Sequence, residues 1–388
     1  MVRYAYSVVR VLVYLLMIGF FAPLPMHFEN SILANDLAGG YQVVACDVNA
    51  DGIQDLIALA SNMPDLLWFE SPTWKRHVLA RNLPRMINAA CWSRDAHAPP
   101  VIAVASEFSM HPQESAGVVS ILTPDGDPRN PWKATEIDRL PTSHRLRWAD
   151  IDGSGNKVLI NAPLAAADAR APDYHGHVPL VYYHPDDWKR QSIGDAEEGI
   201  VHGIFVTDWD GNGREAILIG SFLGIHLYRF GSDGKWSRTE IAKGSPKPWP
   251  LSGTSVITVG HLGHERFLAA IEPWHGNEVV VYRSAGSSWT REVVDDTLLD
   301  AHTIETVDLN GDGQDEIVAG FRGKPYGVYI YRWNGTKWER QILEQGEVSA
   351  AGCVVAELHG KRAPDIACIG SATHNLILYR NSRTGTDR

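Results

Sequence analysis

Hydrophobic and polar positions alternate in short runs along most of this chain, and turn residues separate the runs at close intervals. Runs such as YQVVAC, DLIALA and LLWFE are rich in β-branched and aromatic residues. Runs of this length and composition, bounded by Gly, Pro and Asp, are typical of β-strands. The pattern therefore predicts an all-β fold.

The runs recur as a unit that contains an aspartate-rich loop about every fifty residues. In each unit an inner strand enters the loop, a second strand leaves it, and a third carries aromatic residues. A fourth usually opens with Trp followed two residues later by Arg. The first loop positions are Asp47, Trp92, Asp150, Asp208, Gly260, Asp308 and Glu357. Because four-stranded units repeated radially form a propeller, we predict a seven-bladed β-propeller with four-stranded blades.

The seventh unit lacks its fourth strand, and the chain supplies a substitute at its beginning. FENSILA (Phe28–Ala34) aligns with WERQILE (Trp338–Glu344), the fourth strand of the sixth unit. We expect this first strand to pair with Leu376–Tyr379 and to complete the last blade. Closing the ring in this way removes two exposed strand edges, and the propeller then occupies residues 27–388.

The charge and the N-terminal segment bear on partners and location. The net charge is −11, with 46 acidic against 35 basic residues and no basic run, so nucleic acid is not an expected partner. Residues 1–26 hold the apolar run VLVYLLMIGFF, which has the length of a signal sequence and is short for a membrane span. We expect a secreted or periplasmic protein, with an uncleaved N-terminal anchor as the alternative and no other membrane contact.

The four cysteines fall at two kinds of position in the repeat. Cys46 and Cys91 share one repeat position on adjacent blades, and Cys353 and Cys368 lie on two strands of blade seven. We expect equivalent positions on neighbouring blades to be too far apart for a disulfide. All four are therefore predicted to be small core residues without a role in metal binding or catalysis.

Two of the aspartate-rich loops predict calcium sites. Oxygen-bearing side chains at loop positions 1, 3, 5 and 9, with Gly at 6, surround a hard cation. The complete sets are Asp47, Asn49, Asp51 and Asp55 in blade one, and Asp308, Asn310, Asp312 and Glu316 in blade six. Blades three and four have Val158 and Ala216 at position 9. These loops resemble calcium-binding FG-GAP and VCBS repeats, and the alternative is a polar turn held by Asx hydrogen bonds.

Three histidines share a different repeat position, six residues before the first loop position. They are His144, His202 and His302, and the other blades have Tyr41, Met86, Thr254 and Ala351 there. Because inner strands line the channel of a propeller, we expect these imidazoles to converge on one rim. The loops between second and third strands open on the same face and contribute His177, Glu272, Trp274, His275, Arg322 and Lys324.

Convergent imidazoles indicate a transition-metal site. Three neutral imidazoles with an open fourth position suit Zn²⁺ or another divalent transition metal, and such an ion polarises a carbonyl or activates a water. A further His or Glu can then move protons near neutral pH. The alternative for each histidine is a hydrogen-bonded surface or channel residue.

The segments VHGIFVTDWDGNG, AAIEPWHGNEVVVYR and AHTIETVDLNGDGQDEIVAGFRG resemble the β-propeller domain of the aldos-2-ulose dehydratases. The resemblance implies elimination of water from a keto sugar such as 1,5-anhydrofructose or an aldosulose, with zinc polarising the ketone and a histidine moving protons. It implies His202, His275 and His302 as the zinc ligands.

The leading hypothesis is therefore a metal-dependent carbohydrate lyase acting on a small sugar or oligosaccharide. The candidate proton carriers are His144, His177 and Glu272, and the candidate sugar contacts are Trp274, Arg322 and Lys324. One alternative is a non-catalytic propeller that binds carbohydrate or protein, since fold alone decides no function. Another is a polysaccharide lyase acting on uronates, which requires a cationic groove for which this chain offers few basic residues.

Overall fold

The computed structural model describes residues 26–286, 288–360 and 363–382, and its regular structure is almost entirely β. One 3-10 helix, Pro112–Glu114, lies in the loop after β7. The strands in chain order are β1 Phe28–Ala34, β2 Gly40–Cys46, β3 Asp55–Ala60, β4 Leu66–Glu70, β5 Lys75–Ala80, β6 Asn88–Trp92, β7 Val101–Ser106, β8 Val118–Thr123, β9 Lys133–Arg139, β10 Ser143–Ala149, β11 Val158–Pro163, β12 His177–Tyr183, β13 Arg190–Glu198, β14 Val201–Thr207, β15 Ala216–Ser221, β16 Gly224–Phe230, β17 Trp236–Ala242, β18 Ser245–Pro246, β19 Ser252–Gly253, β20 Ile257–Leu262, β21 Glu265–Glu272, β22 Glu278–Ala285, β23 Ser288–Asp295, β24 Ala301–Val307, β25 Glu316–Phe321, β26 Gly327–Trp333, β27 Trp338–Glu344, β28 Ala350–Ala356, β29 Asp365–Gly370 and β30 Leu376–Asn381.

These strands form seven four-stranded antiparallel blades, which confirms the predicted propeller. Blades one to six use consecutive strands, starting with β2-β3-β4-β5, and blade seven has the order β28-β29-β30-β1. Phe28 pairs with Asn381 and Ala34 with Leu376, so the first strand closes the ring as predicted. Blade five departs from the repeat because its inner strand begins only at Ile257, after the small β18-β19 sheet.

The core lies between the blades. The second strand of blade one is buried along its whole length, and so is that of blade six, because neighbouring blades cover both faces. Hydrophobic clusters fill the spaces between adjacent blades: Ile57 and Met86 pack between blades one and two, and Leu218 and Ile257 between blades four and five. Burial of this apolar surface is the main favourable term in folding, and it holds the inner strands around the channel.

The recurring Trp-x-Arg motif has a structural role that its spacing alone did not show. Arg190 of blade three binds the carboxylate of Asp138 on the outer strand of blade two, and Tyr183 donates to the same carboxylate. Arg238 and Tyr228 of blade four bind Glu197 of blade three in the same way. Each such group joins neighbouring blades at the outer edge of the ring.

In blade five, the carboxylate that binds the Arg and Tyr side chains comes from a different strand. The outer strand of blade four has no carboxylate at the equivalent place, and Arg291 and Tyr282 bind Glu272 of their own blade instead. Thr254 donates to the same side chain at 3.0 Å. Burial raises the pKa of Glu272, against the opposing effects of the Tyr282 hydrogen bond and the Arg291 charge.

The cysteine prediction was wrong, because both pairs form disulfides. Cys46 and Cys91 are bonded across blades one and two, where the inner strands approach closely and the Cα atoms are 6.2 Å apart. Cys353 and Cys368 are directly opposite each other on β28 and β29, with a Cα separation of 4.1 Å. The inter-blade distance falls within the range that a disulfide spans, so the assumed separation of neighbouring inner strands was too large.

The predicted signal or anchor segment, residues 1–26, lies almost wholly outside the described residues. The one described residue of that segment, Met26, accepts a hydrogen bond from Gln341 through its carbonyl oxygen, at 2.8 Å. Within the described residues, none of the helical structure has the length and apolar character that a bilayer crossing requires.

Candidate metal centre

In five of the seven blades, the residue six positions before the first loop position is an unpaired bulge residue of the inner strand. The register skips Tyr41 in blade one, His144 in blade three, His202 in blade four, His302 in blade six and Ala351 in blade seven. A bulge bends the strand and turns a side chain in a new direction. We call Tyr41, His144, His202 and His302 the histidine rim, because they meet at one end of the channel.

Two rim histidines meet a third from a loop to form a group that fits a metal ion. The ligand atoms of His202, His275 and His302 all lie within 4.8 Å of one another, and each pair of rings has centroids 5.0 Å apart. His275 comes from the loop between β21 and β22, on the face where the inner strands begin. We call these three residues the histidine triad. Within the described part of the chain, no other group of three His, Cys, Asp or Glu meets this closely.

The three imidazoles of the triad are neutral, which is the form in which histidine binds a metal ion. Burial, followed by the charge of Arg145 or Arg322, lowers the pKa of all three side chains well below the usual value. His302 donates from Nδ1 to the carbonyl oxygen of Ala351, and its buried Nε2 has no partner within the described residues. A backbone carbonyl that orients one ring nitrogen, with the other left free, is the usual arrangement around a metal-ligating histidine.

The other two triad members have polar partners of two kinds. Ser255 and Asp300 can orient a ligating ring, whereas the donors Arg145 and Arg322 must release the ring nitrogens that they contact. His202 contacts the Ser255 hydroxyl through Nδ1 at 3.1 Å, and Arg145 approaches its Nε2 at 3.3 Å. Arg322 donates to Nδ1 of His275 at 3.1 Å, and the Asp300 carboxylate lies 3.7 Å from the same nitrogen. The buried Nε2 of His275 is unpaired within the described residues. Nε2 is a ligand only in the tautomer whose Nδ1 carries the proton. In that tautomer Nδ1–H faces the Asp300 carboxylate and no longer accepts from Arg322.

His144 lies beside the triad with a different partner. Its ring centroid is 5.1 Å from that of His202, and its Nε2 is 3.1 Å from the hydroxyl of Tyr41. Burial lowers its pKa well below the usual value, and Arg145 adds to the effect. Sequence reasoning missed Tyr41 as a candidate site residue, although it occupies the same repeat position as the three histidines. The sequence did contain a signal for Tyr41, because it places a polar aromatic side chain at the repeat position of the three histidines.

A cavity of about 440 Å³ opens above these residues, and we call it the upper cavity. His144, His202, His275, Trp274 and Arg322 line it, together with Phe108 and Met110 from the loop after β7. The indole of Trp274 lies beside the ring of His275 at a tilt of 38°, with centroids 4.6 Å apart, and its Nε1 has no partner within the described residues. The upper cavity therefore combines an aromatic wall, an unpaired indole N–H and two of the three triad residues, His202 and His275, in a volume typical of small-molecule sites.

Three predicted site residues lie elsewhere. His177 is exposed and pairs with Glu198 at the outer side of blade three. Glu272 is fully buried in the Arg291 and Tyr282 group described above. Lys324 is exposed and does not line the upper cavity. Of the three predicted proton carriers, His144 lines the upper cavity. Of the three predicted sugar contacts, Trp274 and Arg322 line it.

The aspartate loops lie at the opposite ends of the inner strands and have one shared turn geometry. The first aspartate accepts backbone hydrogen bonds from positions 5 and 6 in blades one, three, four and six. At position 9, Asp55 accepts from the amide of Val48 and Glu316 from that of Leu309. The complete and incomplete loops are thus alike in their turns, and calcium binding stays a prediction.

Comparison with known proteins shows a resemblance to one family of propellers. A model of the β-propeller domain of aldos-2-ulose dehydratase matches residues 116–285, which include His144, His202 and His275 but not His302. Aldos-2-ulose dehydratase of Phanerodontia chrysosporium is 27% identical over 293 residues. The resemblance to this propeller is confirmed. The alignment covers 65% of this chain but 32% of the relative, so the chain spans about a third of that protein's length.

Solved structures share the fold alone. The Dos1 propeller is 9% identical and has a TM-score of 0.54, covering 89% of this chain and 80% of that one. Rhamnogalacturonan lyase YesW is 13% identical with a TM-score of 0.53, covering 93% of this chain and 77% of that one. At these identities the likeness supports the propeller and carries no functional argument.

Proposed function

We propose that this propeller is a metal-dependent hydro-lyase that removes water from a small keto sugar. The observation that carries the proposal is the histidine triad, of which His202 and His275 line the upper cavity beside a fourth buried histidine, His144. A relative named as a sugar dehydratase supports the same class of substrate. Zinc held by His202, His275 and His302 would act as a Lewis acid toward the ketone oxygen, which acidifies the neighbouring C–H bond.

His144 and Tyr41 form a hydrogen-bonded pair that can transfer the two protons required for the elimination of water. The Nδ1 of His144 has no partner within the described residues, so with Nε2–H donating to Tyr41 it offers a lone pair. His144 takes the proton from the carbon beside the ketone as the double bond forms. Tyr41 gives its hydroxyl proton to the departing hydroxide, which leaves as water. Transfer of the proton from His144 Nε2 to the Tyr41 oxygen then restores the phenol. Loss of the Nδ1 proton to solvent and uptake of a proton at Nε2 return His144 to its starting tautomer.

Other cavity residues position the sugar. Trp274 provides an aromatic face and an unpaired indole N–H for the sugar ring and its hydroxyls. Arg322 is held by two hydrogen bonds to Asp300, at 2.8 and 3.1 Å, so its guanidinium is fixed at the cavity wall. Fixed groups of this kind bring the reacting atoms together at low entropic cost.

The two disulfides support a location in an oxidising compartment. Disulfides persist in secreted and periplasmic proteins and are rare in the cytosol. Both bonds are between strands of the propeller itself, Cys46 with Cys91 and Cys353 with Cys368. We therefore propose secretion or a periplasmic location for this propeller.

The activity is tested by incubating the zinc-loaded protein with 1,5-anhydrofructose and following the absorbance of the conjugated enone. Wild type should generate the absorbance, EDTA treatment should stop it, and added zinc should restore it. His302→Ala should give no absorbance at any zinc concentration while unfolding like wild type. If zinc-loaded wild type removes water from no keto sugar, the lyase proposal fails and the binding-propeller alternative replaces it.

A further inference from the structure

A second chamber lies in the channel on the other side of the histidine rim. Its volume is about 580 Å³, and its lining runs from Tyr41 and His302 down the inner strands to Ser93 and Lys157 near the aspartate loops. We call it the channel chamber. It shares Tyr41 with the upper cavity and has the proposed zinc ligand His302 at its upper end. The proposed reaction uses none of the other polar residues that line the chamber.

Two arginines of one strand line this chamber. Arg145 and Arg147 are two residues apart on β10, so their side chains leave the strand on the same side. Arg145 donates to the carbonyl oxygen of His202 at 3.1 Å and approaches its Nε2 at 3.3 Å. Arg147 donates to the carbonyl oxygen of Leu146 at 2.8 Å and to the side-chain Oδ1 of Asn88 at 3.4 Å. Within the described residues, neither guanidinium has a carboxylate within 4.0 Å.

The positive charge of the chamber is only partly balanced. Lys157 is paired with Glu215 at 3.1 Å, which leaves Glu305 as the carboxylate that lines the chamber. Burial raises the pKa of Glu305 to about 7, while Arg147 opposes that rise. Burial, with the charge of Arg145, lowers the pKa of Arg147 to about 10. Two close, poorly solvated cations of this kind are costly unless an anion joins them.

We propose that the channel chamber binds a small molecule through an oxyanion group, a carboxylate or a phosphate, held by Arg145 and Arg147. Planar guanidinium groups bind such oxygens with paired, charge-assisted hydrogen bonds. The chamber volume is typical of small-molecule sites, so it has room for more than the anionic group. Asn88 and Gln42, which also line the chamber, provide polar contacts for the remainder of the ligand.

The test is isothermal titration calorimetry of the full chain with inorganic phosphate and, separately, with acetate, at an ionic strength kept constant with chloride. At least one of the two should bind saturably. Arg147→Gln should weaken that binding by about tenfold or more, because it removes a charged donor. The matched control is Arg94→Gln, which removes the same charge from an exposed side chain beside Trp92, near the chamber mouth. It should change the affinity less than about twofold, since exposed charges are screened.

A third variant gives a change in the opposite direction, which a folding defect does not explain. Glu305→Gln removes the competing carboxylate and should strengthen anion binding severalfold. Preference for phosphate or for acetate identifies which oxyanion the chamber takes. The proposal is overturned if wild type binds neither anion. It is also overturned if Arg147→Gln keeps the wild-type affinity, as it would if the anion bound at the histidine triad, or if Glu305→Gln weakens binding.

Discussion

The histidine rim and the aspartate loops lie at opposite ends of the same inner strands, and they use the repeat in different ways. At the rim, one bulged position on several blades brings side chains from distant parts of the sequence together, so that His202 and His302 meet. In a loop, the polar side chains of one blade bind the backbone of their own turn, as Asp47 binds the amide of Gly52. The comparison shows that convergence between blades creates buried, unpaired ring nitrogens. In an aspartate loop, by contrast, the polar side chains find hydrogen-bond partners within their own turn.

The largest predicted effect sharpens the role of the rim. His144→Ala should lower the rate of water elimination by about 10²–10⁴-fold, the usual range for a general acid–base residue, and should leave bound zinc unchanged. The measurement is the initial rate of enone formation together with the zinc content of the purified variant. His177→Ala is the matched control, since His177 is exposed on the outer side of its blade, and it should retain the wild-type rate. Loss of zinc in His144→Ala would make that residue a ligand and contradict its role as proton carrier.

A smaller effect is predicted for the residue that orients His202. Ser255→Ala removes the hydroxyl 3.1 Å from Nδ1 of His202 and should weaken zinc binding by about 10–100-fold. Competition with a chelator of known affinity measures the change. Ser252→Ala is the control, because its hydroxyl binds the carbonyl of Phe222 and does not touch the triad. Equal zinc affinity in both variants would show that Ser255 has no part in holding the ligand.

The smallest effect is predicted at the aspartate loops. Saturating calcium should raise the melting temperature by several degrees, since a ligand at about 100 times its Kd contributes about 2.7 kcal/mol. Asp308→Ala should lose about half of this calcium-dependent gain, because blade one keeps its own complete loop. Asp150→Ala is the control, because Asp150 accepts the same two turn hydrogen bonds in a loop that lacks an oxygen at position 9. If calcium stabilises neither wild type nor Asp150→Ala, the loops are turns without a structural ion.

The sequence predicted the ring and the rim because both depend on a repeated register. The closing strand Phe28–Ala34 and the shared position of His144, His202 and His302 followed from alignment of the repeats alone. Glu272 could not be placed in this way, because its role depends on a missing carboxylate in the neighbouring blade. The distance between Cys46 and Cys91 depends on how tightly the inner strands approach the axis, which a repeat alignment does not measure.

The central claim is that His202, His275 and His302 together hold one transition-metal ion. The most direct test is the zinc content of the protein after dialysis against excess zinc and then against metal-free buffer, measured by mass spectrometry of the element. Wild type should retain about one zinc per chain, as expected for a three-histidine site. His202→Ala/His302→Ala should retain none while melting cooperatively. Equal zinc content in wild type and the double variant, or no retained zinc in wild type, would contradict the account.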